Sequence, residues 1–135
     1  MANSSLAVAA EPVRFSSVMP GLAVSNVARS VEFFTSVLGF AHTFTNGPES
    51  APVYAIVRRD DIEIGLGFDN SSYRVGRGSF YIKLTSGIDD MYQDCIRGGA
   101  EIAHELRDET YGMREFMVKD PDGNTINFGQ PSAGA

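Results

Sequence analysis

The chain has 135 residues, 43% hydrophobic and 21% charged, which suits a single globular domain. Its net charge of −6 argues against a nucleic-acid partner, because the phosphates would be repelled. A single cysteine excludes an intrachain disulfide and favours a reducing compartment. No apolar run reaches the roughly 18 residues of a membrane span. We therefore expect a cytoplasmic protein without a membrane partner.

The first half of the chain predicts a strand followed by a helix and three more strands. The first strand covers residues 18–25, and Asn26 then stands as a helix N-cap. Apolar residues recur behind it at helical spacing: Val27, Val31, Phe34 and Leu38. Gly39 ends this helix. Strands should follow at residues 40–46, 53–58 and 62–68, the last two forming a hairpin.

After a Ser- and Gly-rich linker at residues 69–78, the same order of elements begins again. A strand is expected at residues 80–85. The second helix has an apolar stripe made of Ile88, Met91, Tyr92, Cys95 and Ile96, and Gly98 with Gly99 ends it. Cys95 on this stripe is expected to be a buried small hydrophobe, not a nucleophile. A further strand is predicted at residues 100–105.

The chain closes with the clearest hairpin signal. Phe116 and Val118 alternate with polar or flexible neighbours, as do Ile126 and Phe128. The intervening Asp-Pro-Asp-Gly at residues 120–123 has the residues that a tight turn requires.

The two halves therefore form an internal repeat with an offset of about 60 residues, too long for a small solenoid unit. Each half reads β-α-β-β-β, at residues 18–68 and 79–129. This order predicts an α+β fold in which one face of each sheet is covered by a helix, and two such sheets facing each other would form a cup. One domain is expected at residues 15–131, between a flexible tail at 1–14 and a short tail at 132–135.

The closing hairpin, REFMVKDPDGNTINF at residues 114–128, resembles that of the vicinal-oxygen-chelate superfamily, which contains glyoxalase I, extradiol dioxygenases and bleomycin-resistance proteins. The preceding Tyr-Gly-Met at residues 111–113 is similar to the bleomycin-resistance branch in particular. This resemblance implies the glyoxalase/bleomycin-resistance fold of two βαβββ modules. In that branch it also implies a homodimer with ligand clefts at the interface, which sequesters a flat cationic antibiotic without reacting with it.

In the metal-using branches, the first and last strands of each module supply the metal ligands. In this chain, the resemblance places those positions at Met19, Gly65, Tyr81 and Asn127. In the repeat, Met19 is equivalent to Tyr81 and Gly65 is equivalent to Asn127. None is a His, Glu or Asp, the donors that a divalent cation of this kind needs. We therefore expect neither a metal nor another cofactor, and no catalytic residues.

The candidate ligand-binding residues are those that strand alternation or the resemblance places on the inside of the cup: Met19, Glu63, Gly65, Tyr81, Lys83, Tyr111, Arg114, Glu115 and Asn127. An alternative is a collapsed interior, which Met19 and Tyr81 would fill while Glu63 and Lys83 neutralise one another.

Three functions stay open at this point. The preferred one is a non-catalytic protein that sequesters an aromatic or cationic small molecule in a metal-free cup. The second is a metal-dependent lyase, isomerase or dioxygenase, which requires a different set of ligands. The third is a metal-free enzyme with Glu63 or Glu115 as general base.

Overall fold

A computed structural model describes residues 11–133. Most of the predicted N-terminal tail, residues 1–10, and the last two residues of the C-terminal tail lie outside the described residues. The first module consists of β1 (Gly21–Val24), α1 (Val27–Ser36), β2 (Ala41–Asn46), β3 (Tyr54–Arg59) and β4 (Ile62–Phe68). The second consists of β5 (Ser79–Lys83), α2 (Ile88–Arg97), β6 (Glu101–Asp108), β7 (Met113–Lys119) and β8 (Thr125–Pro131).

The two modules have the same topology, and the predicted α+β pair of βαβββ units is confirmed. Sheet 1 has the strand order β1-β4-β3-β2, and sheet 2 has the order β5-β8-β7-β6. In each sheet the first strand pairs in parallel with the last, and the other pairs are antiparallel. The first strand starts three residues later than predicted, at Gly21, because Pro20 has no N–H to donate to the ladder.

Both helices form where the apolar spacing predicts them. The Asn26 side chain caps α1 by accepting a hydrogen bond from the Arg29 N–H at 3.0 Å. Gly39, with φ +74°, turns the chain away after the helix. Helix α2 follows Gly87, at φ +85°, and has no side-chain cap. No helix in residues 11–133 is long and apolar enough to cross a membrane.

The core lies between each helix and the sheet face beneath it. Alternate strand residues face the helices and are almost fully buried, among them Leu22, Val24, Val57, Leu66, Phe116 and Ile126. The rings of Phe116 and Phe128 stack at 4.8 Å under α2. Cys95 is fully buried in this layer, as predicted, and burial raises the pKa of its thiol to about 12. We call the opposite side of each sheet, away from its helix, the open face.

The turn between β7 and β8 joins the two modules. Its Asp122 carboxylate accepts hydrogen bonds from the Ser25 N–H at 3.1 Å and the Ser25 hydroxyl at 2.5 Å. The same carboxylate lies 3.0 Å from the Arg29 guanidinium of α1. Two residues further on, the buried Asn124 amide donates to the Ala23 carbonyl of β1. The turn chemistry that predicted the hairpin therefore also fastens it to the other module.

Candidate functional site on the open faces

The open face of sheet 2 carries a cluster of two phenols around one carboxylate. Glu115 alternates with the buried Phe116 on β7, so its side chain projects from the open face. One carboxylate oxygen accepts a hydrogen bond from the Tyr81 hydroxyl of β5 at 2.5 Å. The other accepts from the Tyr111 hydroxyl, in the connection before β7. Both oxygens of one exposed-face carboxylate are thus held by aromatic side chains.

Tyr81 reaches Glu115 by crossing the strand between them. Gly129 of β8 pairs with Glu115 on one side and with Lys83 on the other. A Cβ atom at position 129 would overlap the Tyr81 hydroxyl and its ring carbons. The absence of a side chain at Gly129 is what leaves room for the phenol to lie across the sheet.

These hydrogen bonds keep both phenols neutral over an extended pH range. Burial, followed by the hydrogen bond to Glu115, raises the pKa of Tyr81. The hydrogen bond to Glu115 is the main cause that raises the pKa of Tyr111 to about 12. At neutral pH each hydroxyl is therefore a donor directed at the same carboxylate.

On the open face of sheet 1, the neighbouring strands β1 and β4 present glycines. Gly21 of β1 pairs with Gly65 of β4, and Gly67 follows two residues later on the same face. The Tyr54 side chain of β3 lies over these glycines, because a Cβ at Gly65 would meet its hydroxyl and one at Gly67 would lie 3.7 Å from its Cδ1 atom. Phe44 of β2 packs edge-on against Tyr54, with 6.4 Å between the ring centroids.

Several predicted lining residues lie on these faces. Asn127 stands beside Tyr81 in the register of sheet 2, and its amide donates to the Phe80 carbonyl at 3.1 Å. Lys83 shares the open face with Tyr81 at the end of β5. Glu63 shares the open face of sheet 1 with Gly65.

Two of the expectations are wrong. Arg114 has the same strand parity as the buried Phe116, and its guanidinium bonds Asp89 of α2 at 2.8 Å and Asp108 of β6 at 3.2 Å. Its side chain is therefore on the helix side and does not line an open face. Met19 is not the counterpart of Tyr81 in the repeat, because it precedes β1. Gly21 lies opposite Gly65 in sheet 1, just as Tyr81 lies opposite Asn127 in sheet 2.

The open faces are also not a filled interior. Met19 is 43% exposed and Tyr81 is 40% exposed, so neither fills a core. Glu63 and Lys83 lie on different sheets, and among the ion pairs of the described residues none joins them. Within a single chain both faces are accessible.

The sequence of this chain is similar to that of a known protein family. Residues 14–128 match the family model of the Glyoxalase/Bleomycin resistance protein/Dioxygenase superfamily. The chain belongs to this superfamily. Bleomycin resistance proteins of Geobacillus stearothermophilus and Staphylococcus aureus are 29% identical to it over 131 residues, covering 83% of this chain and 94% of theirs. Lactoylglutathione lyase of Neisseria meningitidis is 28% identical over 124 residues, covering 84% and 88%.

Solved structures of other proteins have the same fold. The bleomycin-binding protein from Streptomyces verticillus, in complex with copper(II)-bleomycin, superposes with a TM-score of 0.74 at 25% identity, covering 90% of this chain and 100% of that one. TioX from Micromonospora sp. ML1 superposes with a TM-score of 0.76 at 18% identity, covering 87% and 100%. The relatives with antibiotic-resistance names support the resemblance to the bleomycin-resistance branch.

The positions that hold metal in the superfamily's enzymes do not suit a metal here. The register pairs Gly21 with Gly65 in sheet 1 and Tyr81 with Asn127 in sheet 2. Two glycines, a phenol and a neutral amide offer no charged oxygen or imidazole donor. Across residues 11–133, no group of three His, Cys, Asp or Glu side chains is placed to hold an ion.

Three residues of the site were missed by the sequence reading: Tyr54, Gly67 and Gly129. Gly65 and Gly67 lie two residues apart in the predicted strand at residues 62–68, and this spacing was visible in the sequence. Strand alternation could have placed both glycines on one face. Nothing in the sequence indicated that Tyr54 would lie across Gly65 and Gly67, or that Tyr81 would lie across Gly129.

Proposed function

We propose that this protein sequesters an aromatic or cationic small molecule in a metal-free cup, without reacting with it. The observation that carries the proposal is the Glu115 carboxylate on the open face of sheet 2, held by Tyr81 and Tyr111. It combines a negative charge with two aromatic rings on an accessible surface, the pairing that suits a flat organic cation.

Electrostatics supports a cationic ligand. The formal net charge of −6 attracts a cation over roughly one Debye length, about 8 Å at physiological salt. At short range Glu115 can exchange a hydrogen bond from a neutral phenol for one from a cationic N–H of the ligand, in which both partners are charged. Lys83 on the same face favours a ligand whose positive charge lies on the Glu115 side and whose acceptor groups lie toward β5.

The named relatives support the same role. The matched proteins include bleomycin resistance proteins and a protein whose structure contains copper(II)-bleomycin. The first name describes resistance to bleomycin and the second describes binding of it, and we propose for this chain the same class of activity, the capture of an aromatic or cationic small molecule.

We further propose that the working unit is a homodimer in the cytoplasm. The open faces expose large apolar side chains, with Phe44 at 50% and Tyr81 at 40% accessibility, and a second copy would cover them. Sedimentation equilibrium should give twice the chain mass of 14.6 kDa. A monomer at micromolar concentration would contradict the dimer but not the binding.

The runner-up is a metal-dependent lyase, and the relative named lactoylglutathione lyase favours it. It requires oxygen or imidazole ligands that the register does not bring to the equivalent positions. Elemental analysis after expression with Ni, Mn, Fe or Zn separates the two functions. Stoichiometric metal supports the lyase, and metal well below one equivalent supports the binding protein.

The direct test is calorimetric titration of purified protein with metal-free bleomycin and with proflavine, a planar cationic acridine, in chelator-treated buffer. We expect saturable binding, and mass spectrometry should recover each molecule unchanged. Glu115→Gln should weaken binding about tenfold or more, because it removes the charge but keeps an acceptor. Glu32→Gln, on the exposed side of α1, makes the same change in net charge and should have little effect. Turnover of either molecule, or equal losses in both variants, would contradict the proposal.

A further inference from the structure

Sheet 1 contains a flat patch without side chains, which we call the glycine platform: Gly21, Gly65 and Gly67. Adjacent strands lie about 4.8 Å apart and alternate residues about 7 Å apart along a strand. The patch therefore has the dimensions of a single aromatic ring. At two of the three positions an added methyl group would fit the protein as it stands, since the nearest atoms lie 3.9 Å away at Gly21 and 3.7 Å at Gly67.

The side chain of Tyr54 already occupies this platform. Its Cδ1 atom lies near Gly67, and its hydroxyl end lies above Gly65, so the ring runs along β4. No group among the described residues accepts a hydrogen bond from the Tyr54 hydroxyl or donates one to it. The equivalent ring on sheet 2, Tyr81, is fastened to Glu115. The Tyr54 side chain therefore packs against Phe44 and the glycines without a side-chain hydrogen bond among the described residues.

From this contrast we propose that the glycine platform is the subsite for the planar ring of the ligand, and that Tyr54 is a displaceable occupant that gives way to it. The proposal rests on the binding function above. A ring lying on bare backbone contacts two strands at once, and any side chain there would lift it off. The platform thus selects for flatness, while Glu115 on the other sheet selects for charge.

Two probes of the same charge and different shape test this selection. Proflavine is flat, and tetraphenylphosphonium is an aromatic cation with four rings arranged tetrahedrally. Gly67→Ala should weaken proflavine binding about tenfold, the effect of forcing a group into a fitted contact, and leave tetraphenylphosphonium binding unchanged. Its unfolding midpoint should match the wild type, because the new methyl meets no atom closer than 3.7 Å in the free protein.

Tyr54→Ala should change the affinity for proflavine in the opposite direction to Gly67→Ala. Emptying the platform should tighten proflavine binding several-fold, because the ligand then has no side chain to displace. Unchanged proflavine affinity in Gly67→Ala would overturn the platform, and weaker binding in Tyr54→Ala would show Tyr54 to be a stacking partner and overturn its displacement. If neither probe binds the wild type, the binding function itself fails, and the subsite with it.

Discussion

The two modules are alike on one side and different on the other. On the helix side both sheets present the same alternation of buried aliphatic and aromatic residues, because close packing against a helix leaves little choice of size or polarity. On the open side, sheet 1 offers glycines beneath Tyr54, whereas sheet 2 offers Tyr81 fastened to Glu115. The helix side of each sheet, which is alike in the two modules, stabilises the fold. The open faces, which differ, are available for recognition.

The modules also differ at the turn between their last two strands. In the first module this turn is short, and Asp60 adopts φ +52° there. In the second, Asp120 accepts hydrogen bonds from the Asp122 and Asn124 N–H groups and from the Asn124 amide. A cavity of about 700 Å³ lies beside the first turn, whereas the second turn is closed against β1 and α1. Among the described residues, most side-chain hydrogen bonds between the modules therefore involve the second turn.

The largest expected effect on stability is at Asn124, which is fully buried in the turn between β7 and β8. Its amide oxygen accepts from the Gly78 N–H at 2.8 Å, and its nitrogen donates to Ala23 and Asp120. Asn124→Ala should lower the free energy of unfolding by about 2–4 kcal/mol, because several buried polar groups lose their partner together. Urea denaturation measures this loss.

The control lies in the equivalent turn of the other module. Asp61 is exposed and makes no hydrogen bond or ion pair among the described residues, so Asp61→Ala should change stability by less than about 0.5 kcal/mol. Similar losses of unfolding free energy in both variants would mean that the two turns contribute equally to stability, contrary to the difference in their hydrogen bonding.

The next effect concerns the glycine beneath each tyrosine. Gly129→Ala places a methyl group where the Tyr81 hydroxyl now lies, so the phenol must leave Glu115. We expect a loss of about 1–3 kcal/mol in unfolding free energy, the usual cost of overpacking. Gly67→Ala is the matched change on sheet 1 and should be nearly neutral. A stable Gly129→Ala protein that retains the Tyr81 hydrogen bond by NMR would refute the crossing of β8.

The fold could be predicted because its signals are local. The Asn26 cap, the apolar spacing of α1 and α2, and the turn at residues 120–123 each define an element through interactions within a few residues. The duplication of the β-α-β-β-β order then gave the architecture. The beginning of β1 was misplaced because Pro20, which has no N–H to donate to a strand ladder, lies inside the predicted strand.

The site was predicted only in part because its chemistry depends on contacts between strands. The candidate residues included both Arg114 and Glu115, although strand alternation must place adjacent side chains on opposite faces. The ion pairs of Arg114 with α2 and β6 put its side chain on the helix side, whereas Glu115 projects from the open face and bonds Tyr111 there. That Tyr81 crosses Gly129, or that Tyr54 covers Gly65, follows from rotamers and register that no sequence pattern encodes.

The smallest expected effect is a change in titration. In an ultraviolet pH titration of the five tyrosines, two should ionise late: Tyr111, with a pKa of about 12, and Tyr81, whose pKa is also raised. Because their folded pKa values lie above the ordinary value of 10.0, the two hydrogen bonds stabilise the fold fully below that pH. Their contribution is lost as pH rises through the folded values, where the unfolded chain has already released its protons.

Replacing the shared acceptor separates the cause of this shift from burial. In Glu115→Gln the Tyr111 hydroxyl should titrate earlier, since its shift comes chiefly from the bond to the carboxylate. Tyr81 should keep part of its shift, because burial is the larger cause there. If all five tyrosines ionise together in the wild type, Glu115 does not hold the two phenols in solution, and the polar character of sheet 2 would have to come from Lys83 and Asn127 instead.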